Sequence, residues 1–262
     1  MLFIRSCLVA ALFATLSSAS MALQPLITDD TGTQGDAGKQ FEVGFVDRQA
    51  SLAGDTTRTR TLPLVFTFGA TETLDLYVGA TPTMIRSNVA GFDADGLGNT
   101  ALGLKWRFFE NEGSGTSLAV KPEIRLPVSS GGEAAGLGAG ATSYGLALIL
   151  SQEVSFGAIH FNLAGGRDEF SAASLLPQSN SLRTSVAPVW DINEQWKLAL
   201  EVGSESVSSA GDTTTTQFVQ LGAIYSPTKD LDLALGILRN NDNASPQTST
   251  TTATMGLTWR FR

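Results

Sequence analysis

Apolar residues occupy every second position in twelve short stretches of this chain, and mostly polar or small residues fill the positions between them. A period of two places one set of side chains on each face of a β-strand. In the clearest stretch, residues 117–126, Leu118 and Val120 alternate with Lys121 and Glu123. The connections between the stretches are alternately long and short. The sequence therefore predicts an all-β fold, a closed antiparallel up-and-down β-barrel of about 12 strands.

The lengths of the connections predict how the barrel is oriented. The short ones lie near 69–73, 110–115, 153–157, 191–194 and 226–230. The long ones lie near 49–56, 83–98, 128–140, 166–180, 205–214 and 240–249. Barrels of bacterial outer membranes have an even number of strands, short periplasmic turns and longer outer loops. We therefore expect a transmembrane barrel whose two ends both lie on the periplasmic side.

Aromatic residues indicate which face of each strand meets lipid. The predicted interface aromatics lie on the apolar stripe, near a short turn or the C-terminus: Trp106, Trp190, Trp196, Trp259 and Phe261. Such a belt is expected where an aromatic side chain meets both hydrocarbon and water. A soluble β-sandwich is the alternative, because its strands also alternate, with the apolar face turned inward. A sandwich core would scatter the aromatics along the strands, so the membrane barrel is favoured.

The first residues predict export. Arg5 precedes a short apolar run, and Ser20 and Ala22 are small residues suited to a cleavage site, so residues 1–22 are expected to be a cleaved signal peptide. Cys7, the only cysteine, lies within it. Residues 23–38 are expected to form a periplasmic or lumen segment, and residues 39–262 the barrel. The predicted location is the outer membrane of a Gram-negative bacterium.

Composition and motifs favour no cofactor and no metal. The net charge of −8 argues against a nucleic-acid partner, since phosphates require a basic surface. Residues 92–99, FDADGLGN, lack the glutamate that closes a calcium loop. A lipid-hydrolysing barrel would need a serine beside its histidine. His160 falls on the inward stripe and Asn162 stands two residues later, so we expect no enzyme.

Three segments resemble a known family. They are QPLITDDTGTQGDAGKQFEVGF at 24–45, GLKWRFFENEGSGTSLAVKPEIRLPVSS at 103–130 and HFNLAG at 160–165. They resemble outer-membrane proteins assigned to the MetA pathway of phenol degradation. The resemblance implies a transporter-like barrel that takes up small aromatic compounds, and it brings no site residues with it. The last strand also resembles the signal read by barrel-assembly machinery, although Arg262 follows Phe261.

The inward stripe carries charged residues that are candidates for selecting a solute: Lys105, Arg107, Lys121, Glu123, Arg125, His160, Lys197 and Glu201. One interpretation is a wet interior held together by charge pairs. The other is a selectivity site in which four basic residues around Glu123 favour an anion. Twelve strands leave a lumen between the filled interior of small barrels and the open pore of large ones. Charged side chains, an inward-folded loop or residues 23–38 could narrow it further.

The expected function is a channel or transporter for small molecules, with aromatic and anionic solutes as candidates. A structural or adhesive barrel without transport is the main alternative, and a lipid-hydrolysing barrel is the other. The expected partners are outer-membrane lipid and lipopolysaccharide, a small-molecule solute, and barrel-assembly machinery during biogenesis. The sequence identifies neither the solute nor the oligomeric state.

Overall fold

Fifteen β-strands and one short helix make up the part of the chain that a computed structural model describes, residues 25–171 and 178–262. The strands are β1 Lys39–Leu52, β2 Asp55–Thr61, β3 Leu64–Thr71, β4 Leu74–Ala80, β5 Pro82–Ser87, β6 Ala94–Leu97, β7 Thr100–Asn111, β8 Thr116–Leu126, β9 Ser143–Val154, β10 Gly157–Asp168, β11 Ser179–Asp191, β12 Trp196–Ser209, β13 Asp212–Thr228, β14 Leu231–Asp242 and β15 Thr248–Phe261. The helix is α1 Ser130–Ala134. The predicted signal peptide, residues 1–22, lies outside the described residues.

The sheet closes on itself because its first and last strands pair. β1 runs antiparallel to β15 from Lys39 opposite Phe261 to Leu52 opposite Thr248. Three of the spans are each divided into two consecutive strands. They are the span of β2 and β3, the span of β4 and β5, and the span of β6 and β7. Pro63 and Pro82 stand at two of the breaks and have no N–H to donate to a neighbour. The predicted closed antiparallel barrel of 12 spans is confirmed.

The two faces of the strands differ in chemistry as the alternation predicted. Lys121 and Glu123 are buried inside the barrel, whereas Ile124, the next residue along β8, is 45% exposed on the outside. The aromatic side chains near the short turns form four contacting pairs, Trp106–Phe108, Phe156–Trp190, Trp196–Tyr225 and Trp259–Phe261. An outer surface of exposed apolar side chains edged by an aromatic girdle is that of a barrel embedded in lipid.

The prediction of long outer loops is wrong at two places, where the structure has short turns instead. Residues 49–56 and 205–214 form strand ends joined by two-residue turns, Ala53–Gly54 and Ala210–Gly211. All four turn residues have positive φ, as the tight hairpin turns that match the twist of paired strands require. The physical reason is that strand pairing does not stop where the apolar band stops. Polar residues rich in threonine and serine continue both hairpins beyond the lipid.

The connection between β8 and β9 is a genuine long segment, and it folds inward. Its Leu137 packs against Ile85 and Ala94, which line the inner face of β5 and β6. Asn99, between β6 and β7, ties this segment to the wall, because its amide nitrogen donates to the Ala139 carbonyl at 2.8 Å and its oxygen accepts from the Ala139 N–H. The outer half of the lumen is thereby narrowed. Among the described residues, no helix is long and apolar enough to cross a membrane.

Candidate functional site

Residues 25–38, called here the N-terminal segment, lie inside the barrel before β1 begins. Leu26 packs against three small or branched side chains of the inner wall, Ala187, Val189 and Ala199. Pro25 rests on β13 and β14 where both strands have glycine, and a Cβ added at Gly222 would come within 2.5 Å of the proline ring. The wall therefore has a notch shaped for the start of this segment.

Glu201 of β12 binds the next part of the N-terminal segment. Its carboxylate accepts the backbone N–H groups of Ile27 at 2.8 Å and Thr28 at 2.9 Å, and the Thr28 hydroxyl at 2.7 Å. The Thr28 hydroxyl also lies 2.6 Å from the hydroxyl of Ser185 on β11. Glu201 is completely buried. A buried carboxylate is stabilised only when donors surround it, and here most of those donors belong to the segment.

Asp29 is held by side chains of three strands, β7, β8 and β10. Its carboxylate lies 2.6 Å from Nζ of Lys121 on β8 and 3.0 Å from Nζ of Lys105 on β7. With the side-chain amide of Asn162 oriented to satisfy its neighbours, that amide pairs with both the N–H and the carbonyl of Asp29, at 2.8 and 2.9 Å. The side chains of Asp29 and Lys121 are nearly inaccessible to solvent. Removing one partner of such a buried pair is strongly destabilising.

Beyond Asp29, the N-terminal segment continues along serine and aspartate side chains of the wall. The Thr31 N–H donates to Oγ of Ser151 at 3.1 Å. Ser151 in turn lies 2.8 Å from Nδ1 of His160 on the neighbouring strand, and both side chains are buried. The Gln34 N–H donates to the carboxylate of Asp75 on β4, at 3.0 Å to its nearer oxygen. The barrel wall therefore contacts the N-terminal segment along its length from Pro25 to Gln34.

The predicted selectivity residues separate into two groups. Lys105, Lys121 and Glu201 contact the N-terminal segment directly, and His160 reaches it through Ser151. The others pair elsewhere: Glu123 accepts the Tyr77 hydroxyl at 3.0 Å, Arg125 lies 2.9 Å from Asp168, Arg107 lies 3.3 Å from Glu110, and Lys197 lies 2.7 Å from Asp191. Arg125 also lies 3.9 Å from Glu123, but Lys105 and Lys121 bind Asp29 and Arg107 pairs with Glu110, so the four basic residues do not form one ring around Glu123. Selectivity by any of them remains a prediction.

Two cavities meet at Asp29. The larger, about 760 Å³, lies on the side of the short turns and is bordered by Glu42, Lys105 and Arg260 as well as by Asp29. We call it the periplasmic vestibule. A second, much smaller cavity is bordered by Asp29, Tyr77 and Lys121. Asp29 and its two lysines thus separate the vestibule from the outer part of the lumen.

The two aspartates of residues 92–99 pair with neighbouring groups of the protein. Asp93 accepts the Ser87 N–H at 2.9 Å, and Asp95 lies 2.9 Å from Arg86. Across residues 25–171 and 178–262, no group of three or more histidine, cysteine, aspartate or glutamate residues could hold a metal ion.

Sequence reasoning did not identify several residues of this site, chiefly Asp29, Tyr77, Ser151, Asn162 and Ser185. The alternation placed the wall residues on the inward stripe but could not say what they would meet. The stretch TDDTG at 28–32 was a usable signal, because it is polar, lies outside every alternating stretch and precedes the first strand.

Comparisons with known proteins agree on the fold and on a family. A family model described as "Putative MetA-pathway of phenol degradation" matches residues 27–261. No curated protein matches the sequence significantly. An outer membrane channel from Pseudomonas putida F1 is similar in structure, with a TM-score of 0.69 and 14% identity, over 90% of this chain and all of that one.

Other barrels are similar to a lesser degree. The β domain of the Bordetella autotransporter BrkA has a TM-score of 0.54 and 12% identity, over 86% of this chain and 100% of its own. The NanC porin has a TM-score of 0.52 and 11% identity, over 83% of this chain and 98% of its own. At such identities the likeness establishes the barrel fold alone.

Proposed function

Because this chain belongs to the family of the MetA pathway of phenol degradation, we propose that it is an outer-membrane channel for small aromatic or anionic solutes. The observation that carries the proposal is the N-terminal segment held inside the barrel, with the vestibule below it and a smaller cavity above. A lumen that is filled by a removable segment can be opened without unfolding the wall. A purely structural or adhesive barrel does not require cavities on both sides of such a segment.

The location and partners follow from the same proposal. The exposed apolar band supports a position in outer-membrane lipid. We propose that lipopolysaccharide forms the outer leaflet around it, and that the chain is exported by a cleaved signal peptide and inserted by barrel-assembly machinery. The protein is proposed to act without catalysis. His160 and Ser151 are hydrogen-bonded and buried, but Ser151 also receives the Thr31 N–H, so the segment covers the pair.

Solute uptake by liposomes containing the purified protein tests the proposal. Benzoate should enter these vesicles faster than protein-free vesicles, and a trisaccharide should not, because the vestibule ends at the narrow level of Asp29. Equal permeability of the two kinds of vesicle to every solute, even after residues 25–34 are deleted from a folded barrel, would contradict the channel.

Acid should loosen the N-terminal segment between about pH 4 and about pH 2. Burial raises the pKa of Asp29, but the ammonium groups of Lys105 and Lys121 outweigh this effect and hold it at about 2, below the ordinary value of 3.8. A carboxyl group with a lowered pKa stabilises the docked segment above its undocked pKa and stops doing so as the pH falls through the docked value.

Conductance measured as a function of pH checks this prediction. At neutral pH the wild-type protein should conduct less than Asp29→Asn, which lacks the charge at every pH. The two conductances should converge as the medium is acidified through that window. A difference between them that stays constant down to the acid end would contradict the assigned role of Asp29.

A further inference from the structure

Lys105 and Lys121 present two ammonium groups to one carboxylate, one on each of its oxygens. The carboxylate belongs to the N-terminal segment, whereas both lysines belong to the barrel wall. The side chains of Lys105 and Lys121 are only 14% and 7% exposed. The wall therefore contains a built site for a carboxylate, and the chain's own Asp29 occupies it.

The surroundings of the lysine pair limit what else can bind. Glu42 and Asp75 interact electrostatically with the pair, so the site is not a broad basic surface that attracts any polyanion. The carboxylate of Asp75 is engaged by the Gln34 N–H, and that of Glu123 by the Tyr77 hydroxyl. When the N-terminal segment leaves, the pair loses Asp29 and also Asp30, whose carboxylate lies 3.7 Å from Nζ of Lys105. A carboxylate of a small solute is a replacement that can contact both ammonium groups.

An aromatic surface adjoins the same site. Nζ of Lys121 lies 5.0 Å from the centroid of the Tyr77 ring, within the range of a cation–π contact. Tyr77 and Lys121 both border the small cavity beyond Asp29, and Lys105 borders the vestibule. An organic acid with a planar apolar body could place its carboxylate on the lysines and its body against this ring.

We propose that Lys105 and Lys121 form a binding site for the carboxylate of a small aromatic acid, and that Asp29 is an internal ligand which the acid displaces. This inference rests on the proposed channel function and adds its solute class and the way it opens. Competition between the two carboxylates couples arrival of the solute to release of the N-terminal segment, because only one of them can lie between the two ammonium groups.

Single-channel recording with benzoate tests the displacement. Benzoate should increase the open probability of the wild-type channel, whereas neutral phenol and cationic benzylamine at equal concentration should not. In Lys121→Gln and in Lys105→Gln both carboxylates lose one charge-assisted contact, so the open probability without benzoate should rise and the further increase caused by benzoate should shrink. Arg239→Gln, at an exposed position of β14 outside both cavities, removes an equal charge elsewhere and should leave the response to benzoate unchanged.

Asp29→Asn gives a second readout that does not depend on altering the barrel wall. Without benzoate it should open more often than the wild type, and its reversal potential in a KCl gradient should shift toward chloride. Equal responses to benzoate and phenol, or no anion shift in Asp29→Asn, would overturn this inference. If the variant lacking residues 25–34 conducts but the full-length protein does not respond to benzoate, only this inference fails. If that folded variant does not conduct at all, the channel proposal fails with it.

Discussion

Deleting residues 25–34 should raise the single-channel conductance several-fold above that of the full-length protein. In the intact barrel this stretch lies across the lumen and contacts β8, β11 and β12 on different sides through Asp29 and Thr28. Its removal joins the vestibule to the outer lumen. A 12-stranded wall is wide enough for a water-filled passage once its filling is gone.

A length-matched variant separates filling from specific docking. Replacing residues 25–34 by alternating glycine and serine keeps the chain length but removes Leu26, Thr28 and Asp29. Its conductance should be noisy and should lie between those of the wild type and the deletion, since an unanchored segment enters and leaves the lumen. A folded deletion variant with wild-type conductance would show that the N-terminal segment does not close the lumen.

Glu201→Ala should strongly favour release of the N-terminal segment. The carboxylate accepts three hydrogen bonds from Ile27 and Thr28, and alanine leaves those donors without their buried acceptor. Loss of hydrogen bonds to a buried charged group costs on the order of 2–4 kcal/mol, so the ratio of docked to released segment should fall roughly a hundredfold. Open probability in planar bilayers measures this ratio.

Glu205→Ala is the matched control for that prediction. Glu205 lies four residues after Glu201 on the same inner face of β12, and it faces the charges of Arg183 and Arg48. Its loss removes a half-buried lumen carboxylate without touching the hydrogen bonds of Ile27 and Thr28, so the open probability should change little. Equal opening by Glu201→Ala and Glu205→Ala would mean that lumen charge in general, and not docking, controls the channel.

The barrel was predictable from the sequence because alternation is a local property. Lys121, Glu123 and Ile124 of β8 reveal their faces within a few residues of chain, and the aromatic pairs mark one rim. The strand ends were less predictable. Polar stretches such as 205–214 look like loops once the apolar stripe ends, yet hydrogen bonding continues to the turn at Ala210–Gly211.

The contacts of the N-terminal segment could not be read from the sequence, because each joins distant parts of the chain. Thr28 meets Ser185 across 157 residues, and Pro25 meets Gln220 across 195. The alternation fixed that Glu201 and Lys121 point inward, but their partners depend on the path of a segment that has no periodicity of its own. The predicted anion preference of the lysines could not be separated from a purely structural role for the same reason.

A reversible cross-link between the segment and the wall tests the central claim most directly. The mature chain is expected to contain no cysteine, and the hydroxyl oxygens of Thr28 and Ser185 are 2.6 Å apart, so Thr28→Cys with Ser185→Cys places two thiols within bonding reach. We predict that the disulfide forms under mild oxidation, that the oxidised protein stays closed even in Asp29→Asn, and that reduction restores conductance. Failure to form the bond in the folded barrel, or conductance that does not change on reduction, would contradict a lumen closed by residues 25–38.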